Sequence, residues 1–175
     1  YIKPIFHFHY YGFDWVKPLP GYGMYILFWW LIICSIAIII GFKYRLFALL
    51  FFLLFTYIEL IDLTYYLNHY YFVSIIAFLM IWLPANRMLS VDCWLNPSLK
   101  KPYVSAWCVN IIKFQLFIVY FYAGIAKINT EWLHHAQPLK IWLPANDDLP
   151  IIGKYFALPS TAYIFSWFGM LYDVF

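Results

Sequence analysis

The feature that most constrains the fold is an apolar run from residue 24 to residue 41, in which Ser35 is the one conventionally polar residue. The run nearly reaches the ~20 residues that an α-helix needs to cross a bilayer. Of the 175 residues, 66% are hydrophobic and 11% are charged, whereas a soluble domain carries about 25% charged residues. The sequence therefore predicts an integral membrane protein whose main partner is the lipid bilayer.

Further apolar runs follow the first and are separated from it by polar joints. Pro84 is expected to end one of them, because proline disfavours helix at the preceding residue. Ser160 is expected to cap the N-terminus of the last one. The predicted fold is an all-α polytopic transmembrane bundle with about five spans, at residues 24–41, 46–63, 70–83, 104–128 and 160–175.

Two observations concern the extent of the chain. It begins at Tyr1 without a methionine or a targeting segment, and it ends inside an apolar run. We therefore interpret residues 1–175 as part of a longer protein. The hexapeptide IWLPAN occurs at 81–86 and at 141–146, but its flanks do not repeat, which favours two similar tryptophan-bearing helix exits over a duplication.

The basic residues indicate an orientation. The first and third joints carry five cations against Asp92, and the positive-inside tendency places that side in the cytoplasm. These cations are Lys43, Arg45, Arg87, Lys100 and Lys101. The opposite face then receives Glu59, Asp62, Asn68, His69 and Lys127, which come from separate helices. Ionisable groups are costly in a membrane, so several at one depth predict a functional site.

Lys127 is the strongest single candidate within this set. It ends an apolar segment, and a polar exit with Trp132 follows it. An amine that is partly stripped of water there can be neutral and act as a base. Two structural alternatives remain open: a lysine that snorkels to the interface, or an ion pair in which Glu59 or Asp62 neutralises Lys127.

The aromatic content of the chain indicates which kind of ligand it could bind. Aromatic residues make up 25% of the chain, which suggests aromatic walls suited to a flat, quinone-like molecule. His7 with His9, and His134 with His135, lack the spacing and acidic complement of a zinc site, so we predict no metal. The net charge of +3 is small and spread along the chain, and nothing indicates nucleic acid as a partner.

Several segments resemble one membrane-enzyme family, the vitamin K-dependent γ-glutamyl carboxylases, whose membrane part is the HTTM domain. The segment around Lys127 is similar to the family's A-G-x-x-K-x-(D/N)-x-(D/E)-W, with Ala123, Gly124, Lys127, Asn129, Glu131 and Trp132 at the motif positions. A second match has a Tyr-Arg pair, an acidic-x-Thr triplet, Asn-His and A-N-x-x-x-S-V-D in order. These are Tyr44 with Arg45, Asp62 with Thr64, Asn68 with His69, and Ala85 to Asp92.

The resemblance implies an activity and a set of site residues. Lys127 would be the catalytic base that deprotonates reduced vitamin K or a related quinol, with oxygen and carbon dioxide as co-substrates. A peptidyl glutamate would be the group carboxylated, in a carbon-carbon lyase reaction. His69 would be the second catalytic residue. Contacts to the substrate or quinone are expected from Asn68, Asp62, Glu59, Tyr66, Tyr120 and Trp132. Lys127 and His69 are expected to share one pocket open to the extracytoplasmic face.

Two departures qualify the resemblance. Ala126 stands where the animal enzymes have a second lysine, and their large extracytoplasmic domain has no counterpart in residues 1–175. The segment at 8–25 is most similar to bacterial members, which implies a bacterial inner-membrane protein with its site toward the periplasm. Three functions stay open: carboxylation coupled to quinol epoxidation, quinol epoxidation alone, and a non-catalytic role in peptide maturation, export or immunity.

Overall fold

The computed structural model describes residues 6–175, and these residues form helices and loops without a β-strand. This confirms the all-α prediction. The α-helices are α1 (Gly23–Ile40), α2 (Tyr44–Ile61), α3 (Asn68–Trp82), α4 (Val91–Leu95), α5 (Ala106–Ala126), α6 (Thr130–Leu133), α7 (Leu139–Trp142), α8 (Gly153–Phe156) and α9 (Pro159–Val174). Short 3₁₀ turns lie at Leu63–Tyr65, Pro97–Leu99 and Pro144–Asn146.

Three of the described helices, α1, α2 and α5, are long and apolar enough to cross a membrane. The shorter apolar helix α3 has 15 residues and is about 22 Å long at 1.5 Å per residue, which is less than the ~30 Å hydrocarbon core. The structure therefore supports a helical membrane protein, whereas the predicted number of about five spans has only loose support.

The chain divides into two compact units, one up to Val109 and one from Asn110 to Phe175. In the first unit, the hydrophobic core is formed where the loop before α1 meets α1 and α2. Val16 and Ile61 are fully buried there, together with Met24, Leu27 and Ile58. Burial of these side chains anchors the N-terminal loop to the two helices and fixes the surroundings of Asp62.

A tight corner joins α1 to α2. Gly41 ends α1 in the left-handed conformation, with φ 67°, and the Phe42 amide donates to Ala37 O at 2.9 Å. Glycine suits this conformation because it has no Cβ. A Cβ on Gly41 would also lie 2.4 Å from Ser90 Cβ. The corner therefore packs directly against the segment that leads into α4.

Asp92, in the first turn of α4, caps the start of α2. Its carboxylate accepts the amides of Lys43 at 2.7 Å and Tyr44 at 3.1 Å, and the Asn86 side-chain amide at 2.6 Å. Burial opposes ionisation, but these hydrogen bonds outweigh it and lower the pKa of Asp92. Ser90 caps α4 by accepting the Cys93 amide at 3.1 Å. The A-N-x-x-x-S-V-D segment thus has a structural role.

In the second unit, α9 begins at Pro159, with Leu158 as its N-cap and no side-chain capping bond. The prediction that Ser160 is the N-cap was wrong. Proline already fits the first helical position, where its missing N–H costs no hydrogen bond, so the N-cap lies two residues earlier than predicted. Lys140 Nζ donates to the Tyr163 hydroxyl at 2.6 Å and joins α7 to α9.

The two IWLPAN copies were expected to be similar helix exits, but they differ in conformation. Trp82 and Trp142 each end a helix. The next residue is extended in the first copy, where Leu83 has ψ 136°, and helical in the second, where Leu143 has ψ −50°. The identical hexapeptides therefore form two helix ends of different geometry.

Candidate functional site

Lys127 follows the last residue of α5 and forms an ion pair with Asp173 on α9. Its side chain is 24% exposed and that of Asp173 is 11% exposed, so both charges lie near the surface of the second unit without being fully solvated. Lys127 Nζ also lies 5.4 Å from the centroid of the Trp132 ring, within the range of a cation–π contact. The amine is thus held between a carboxylate and an aromatic face.

The small residue of the motif, Gly124, permits the close approach of α5 and α9. A Cβ at this position would lie 2.5 Å from Val174 Cγ2 and 3.2 Å from the Val174 backbone nitrogen. Real Cβ atoms essentially never approach another atom as closely as 2.5 Å. Gly124 therefore has a packing role that allows Lys127, one turn further along, to reach Asp173.

Asn129 shapes the turn that follows. Its Oδ1 accepts the Trp132 amide at 2.8 Å and caps α6, while its Nδ2 donates to Ala126 O at 2.7 Å. Asn129 thus joins the end of α5 to the start of α6. Short polar side chains are favoured at this position because they satisfy amides that a helix start leaves unpaired.

Trp132 is fixed by a reciprocal pair of hydrogen bonds to α9. Its Nε1 donates to Ser166 O at 2.8 Å, and the Ser166 hydroxyl donates back to Trp132 O. Ser166 is fully buried. Glu131, the remaining acidic position of the motif, is exposed. The motif therefore builds a rigid corner, and Lys127 is its charged member.

An aromatic groove of about 700 Å³ lies in the second unit, and Asp173 contributes to its wall. Tyr120 meets Tyr172 edge to face at 6.4 Å between ring centroids, and Phe168 stacks on Tyr172 at 6.4 Å. Phe117 and Phe175 complete the aromatic lining. The groove thus combines flat apolar walls with the carboxylate that pairs with Lys127.

In the first unit, Asp62 is buried at the end of α2, and its oxygens are engaged by neighbouring groups. Oδ2 lies 3.0 Å from His7 Nδ1, and Oδ1 accepts the Thr64 amide at 3.0 Å and the Thr64 hydroxyl at 2.8 Å. Burial would raise the pKa of Asp62, but bonds from Thr64, His7 and the Phe8 backbone outweigh it and lower this pKa to about 2. The acidic-x-Thr triplet therefore has a structural role at the C-terminal end of α2.

A second cavity, of about 460 Å³, lies between α2, α3 and the N-terminal loop. Glu59, Tyr66 and Tyr10 line it, and the hydroxyls of Thr56 and Ser74 in its wall are buried without a hydrogen-bond partner. Burial, and then the nearby charge of Glu59, raises the pKa of Tyr10. The cavity is apolar with a few polar groups, as small-molecule sites are.

Asn68 and His69 begin α3 and are exposed. Neither lines the cavity that contains Glu59 and Tyr66. Because His69 belongs to the first unit and Lys127 to the second, the pocket that they are expected to share stays a prediction.

Three partners were not predicted from the sequence. The carboxylate paired with Lys127 is Asp173, whereas Glu59 or Asp62 had been expected, and Asp62 pairs with His7, which had been considered only as a metal ligand. Ser166 was not noticed at all. One signal was available for Asp173, which is the lone charged residue in the apolar run 160–175.

The helices and the corner around Lys127 define a class of protein: an integral membrane domain with an ionic group at the end of a spanning helix. The comparison with known families is more specific. The family model described as HTTM domain matches residues 1–175. The chain therefore belongs to the HTTM-domain family, the membrane domain of the vitamin K-dependent γ-carboxylase family. No solved structure matches the chain.

Proposed function

We propose that this chain is the quinol-oxidising membrane domain of a γ-glutamyl carboxylase-like enzyme, in which Lys127 is the base. The observation that supports this most directly is the position of Asp173, which pairs with Lys127 and also lines the aromatic groove. Proton-transferring groups and flat apolar walls are therefore found together in one unit. Membership of the HTTM-domain family supports the same reaction class.

The groove fits a reduced naphthoquinone. The rings of Tyr120, Phe168 and Tyr172 offer faces and edges for a flat aromatic molecule, and such pairs prefer stacked or edge-to-face geometry. An apolar side chain on the ligand could extend along Phe117 toward lipid. In this family the quinol supplies, with oxygen, the chemistry that ends in quinone epoxide and a carboxylated glutamate.

The ion pair provides a route to a neutral amine. An ammonium group has no free electron pair, so Lys127 must lose a proton before it can accept one. Its Nζ donates to Asp173 Oδ2, and transfer along this hydrogen bond would leave a neutral amine and a neutral carboxyl. The amine could then take the proton of a quinol hydroxyl. Trp132 covers one side of the amine and limits its contact with water.

We assign supporting roles to residues of the first unit. His69 and Asn68, exposed at the start of α3, would hydrogen-bond glutamyl or quinone oxygens as charge develops. Tyr66 would contact an apolar part of the glutamate peptide in the first-unit cavity, and Glu59 a polar group on it. A glutamate-containing peptide, oxygen and carbon dioxide complete the proposed set of reactants.

A non-catalytic role has its own support. Gly124 and the Trp132–Ser166 hydrogen bonds already hold α5 against α9, and the ion pair of Lys127 could simply strengthen this joint. Such a chain would act in peptide maturation, export or immunity without turnover. Quinol epoxidation without carboxylation is the intermediate alternative, in which the groove and Lys127 function and no glutamate is modified.

The test uses the full-length protein in nanodiscs with reduced vitamin K, labelled bicarbonate and a glutamate peptide. Epoxide and labelled peptide are measured separately. Lys127→Ala should lower epoxide formation by about 10²–10⁴-fold, the usual contribution of a positioned base, and small amines should restore part of it. Lys113→Ala is the matched control, because Lys113 is exposed on the same helix.

Three outcomes separate the functions. Epoxide without labelled peptide would establish epoxidation alone, and the absence of both products in the native protein would favour the non-catalytic role. Wild-type epoxide formation by Lys127→Ala without added amine would exclude the base assignment. Loss of His69 should lower labelling of the peptide more than epoxide formation.

The proposed location is a bacterial inner membrane with the site facing the periplasm. Cysteines placed at 42–45 should then resist a membrane-impermeant reagent applied outside intact cells. Labelling of these cysteines from outside would reverse the orientation.

A further inference from the structure

A basic cavity of about 500 Å³ lies at the opposite end of α2 from Asp62. Arg45 from the first turn of α2, Arg87 from the loop after α3, and Lys101 from the loop before α5 all line it. The three cations come from three separate segments of the first unit. The fold therefore gathers positive charge here that the sequence distributes over 57 positions, from 45 to 101.

No carboxylate of the described first unit, residues 6–109, forms an ion pair with any of these three cations. The acid in the adjoining segment is Asp92, and its oxygens are occupied by the Lys43 and Tyr44 amides and by Asn86. Its charge is used to cap α2. The cavity therefore keeps an excess of positive charge, and an anion would be its natural complement.

The cavity lies where membrane helices end, since α2 begins at Tyr44, α3 ends at Trp82 and α5 begins at Ala106. Trp82 and Trp107 line it and are 61% and 53% exposed. Exposed tryptophans at helix ends are typical of the membrane–water interface. The positive charge of the cavity and its position at the membrane–water interface together indicate a ligand that resides at this interface and carries an anionic group.

We infer that this cavity binds the phosphate group of an anionic phospholipid, with Arg45, Arg87 and Lys101 as its contacts. Guanidinium groups match phosphate oxygens in bidentate geometry, and the lysine adds a point charge. Basic pockets between transmembrane helices are a recognised form of lipid head-group site. The inference is independent of the Lys127 chemistry, because every contact lies in the first unit.

The test measures lipid retention by native mass spectrometry on the full chain released from vesicles of equal phosphatidylglycerol and phosphatidylcholine. Wild-type protein should retain phosphatidylglycerol selectively. Each of Arg45→Gln, Arg87→Gln and Lys101→Gln should weaken retention about fivefold, and the triple variant should abolish selectivity. Arg87→Lys should recover part of the binding, because it restores the charge.

Lys100→Gln is the matched control, since Lys100 is exposed next to Lys101 and does not line the cavity. It should retain phosphatidylglycerol like the wild type. Equal retention of both lipids by the wild type, or unchanged selectivity in the triple variant with native helicity, would overturn the inference. Binding of millimolar inorganic phosphate by a wild type that retains no phosphatidylglycerol would also overturn it and identify free phosphate as the ligand.

Discussion

Lys127 and Asp173 form an ion pair that joins the end of α5 to the end of α9. The pair is neither fully buried nor fully exposed, so its removal can affect both stability and chemistry. A double-mutant cycle separates the two effects, because the charge pairing is mutual whereas the group that takes the quinol proton is the amine.

We predict that Lys127→Met and Asp173→Leu each lower the free energy of unfolding by about 1–3 kcal/mol, between the values for surface and buried pairs. The double variant should recover part of this loss, since neither charge remains unpaired. Urea unfolding in detergent measures all three, with Lys113→Met as the control. Epoxide formation should stay absent in the double variant, and its return with stability would contradict the catalytic role.

Gly124→Ala should destabilise the protein. The added methyl group would lie 2.5 Å from Val174 Cγ2, and overpacking of this kind costs about 1–3 kcal/mol. Gly169→Ala on α9 is the matched control, because a Cβ there meets nothing within 4 Å and alanine is the better helix former. The thermal midpoint should fall for the first variant and be unchanged or higher for the second. Equal midpoints would contradict the close contact at Gly124.

The helices were largely predictable because the lipid environment imposes a simple pattern. The apolar run at 24–41 corresponds to α1 at Gly23–Ile40, and Pro84 follows the end of α3 at Trp82. Hydropathy specifies which residues enter lipid, and proline limits where a helix continues. These signals are local, so they do not depend on knowing which helices touch.

The partners within the site were less predictable, because they depend on which helix faces meet. Lys127 could be identified as important from its position, but the choice of Asp173 over Glu59 or Asp62 required the packing of α5 on α9. The same holds for His7 and Asp62, which are 55 positions apart. Asp92 illustrates what a motif match does not predict. The sequence match included Asp92, but its role as the cap of α2 became evident only from the structure.

The lowered pKa of Asp62 predicts a dependence of stability on pH. This pKa is about 2 in the folded protein and about 3.9 in an unfolded chain. Its stabilising effect should therefore be complete above about pH 4 and be lost as the pH falls toward 2. Acid unfolding followed by circular dichroism should show a weaker dependence in Asp62→Asn than in the wild type. Asp14→Asn, in an exposed loop, should behave like the wild type.

The unpartnered hydroxyls in the first-unit cavity give the last prediction. Thr56 carries a buried hydroxyl without a hydrogen bond, and such a group costs free energy unless a ligand satisfies it. Thr56→Val keeps the shape and removes this group, so the unliganded protein should be as stable as the wild type or more stable. Thr64→Val is the matched control, because its hydroxyl donates to Asp62 at 2.8 Å and its loss should cost about 1–3 kcal/mol.

Thr56→Val should weaken ligand binding, although it does not destabilise the unliganded protein. If the cavity takes part of the glutamate peptide and its hydroxyls meet a polar group on it, Thr56→Val should raise the KM for the peptide without lowering the thermal midpoint. Thr64→Val should lower the midpoint instead. A Thr56→Val protein that is less stable than the wild type and binds the peptide normally would mean that the hydroxyl has a structural partner and does not contact the ligand.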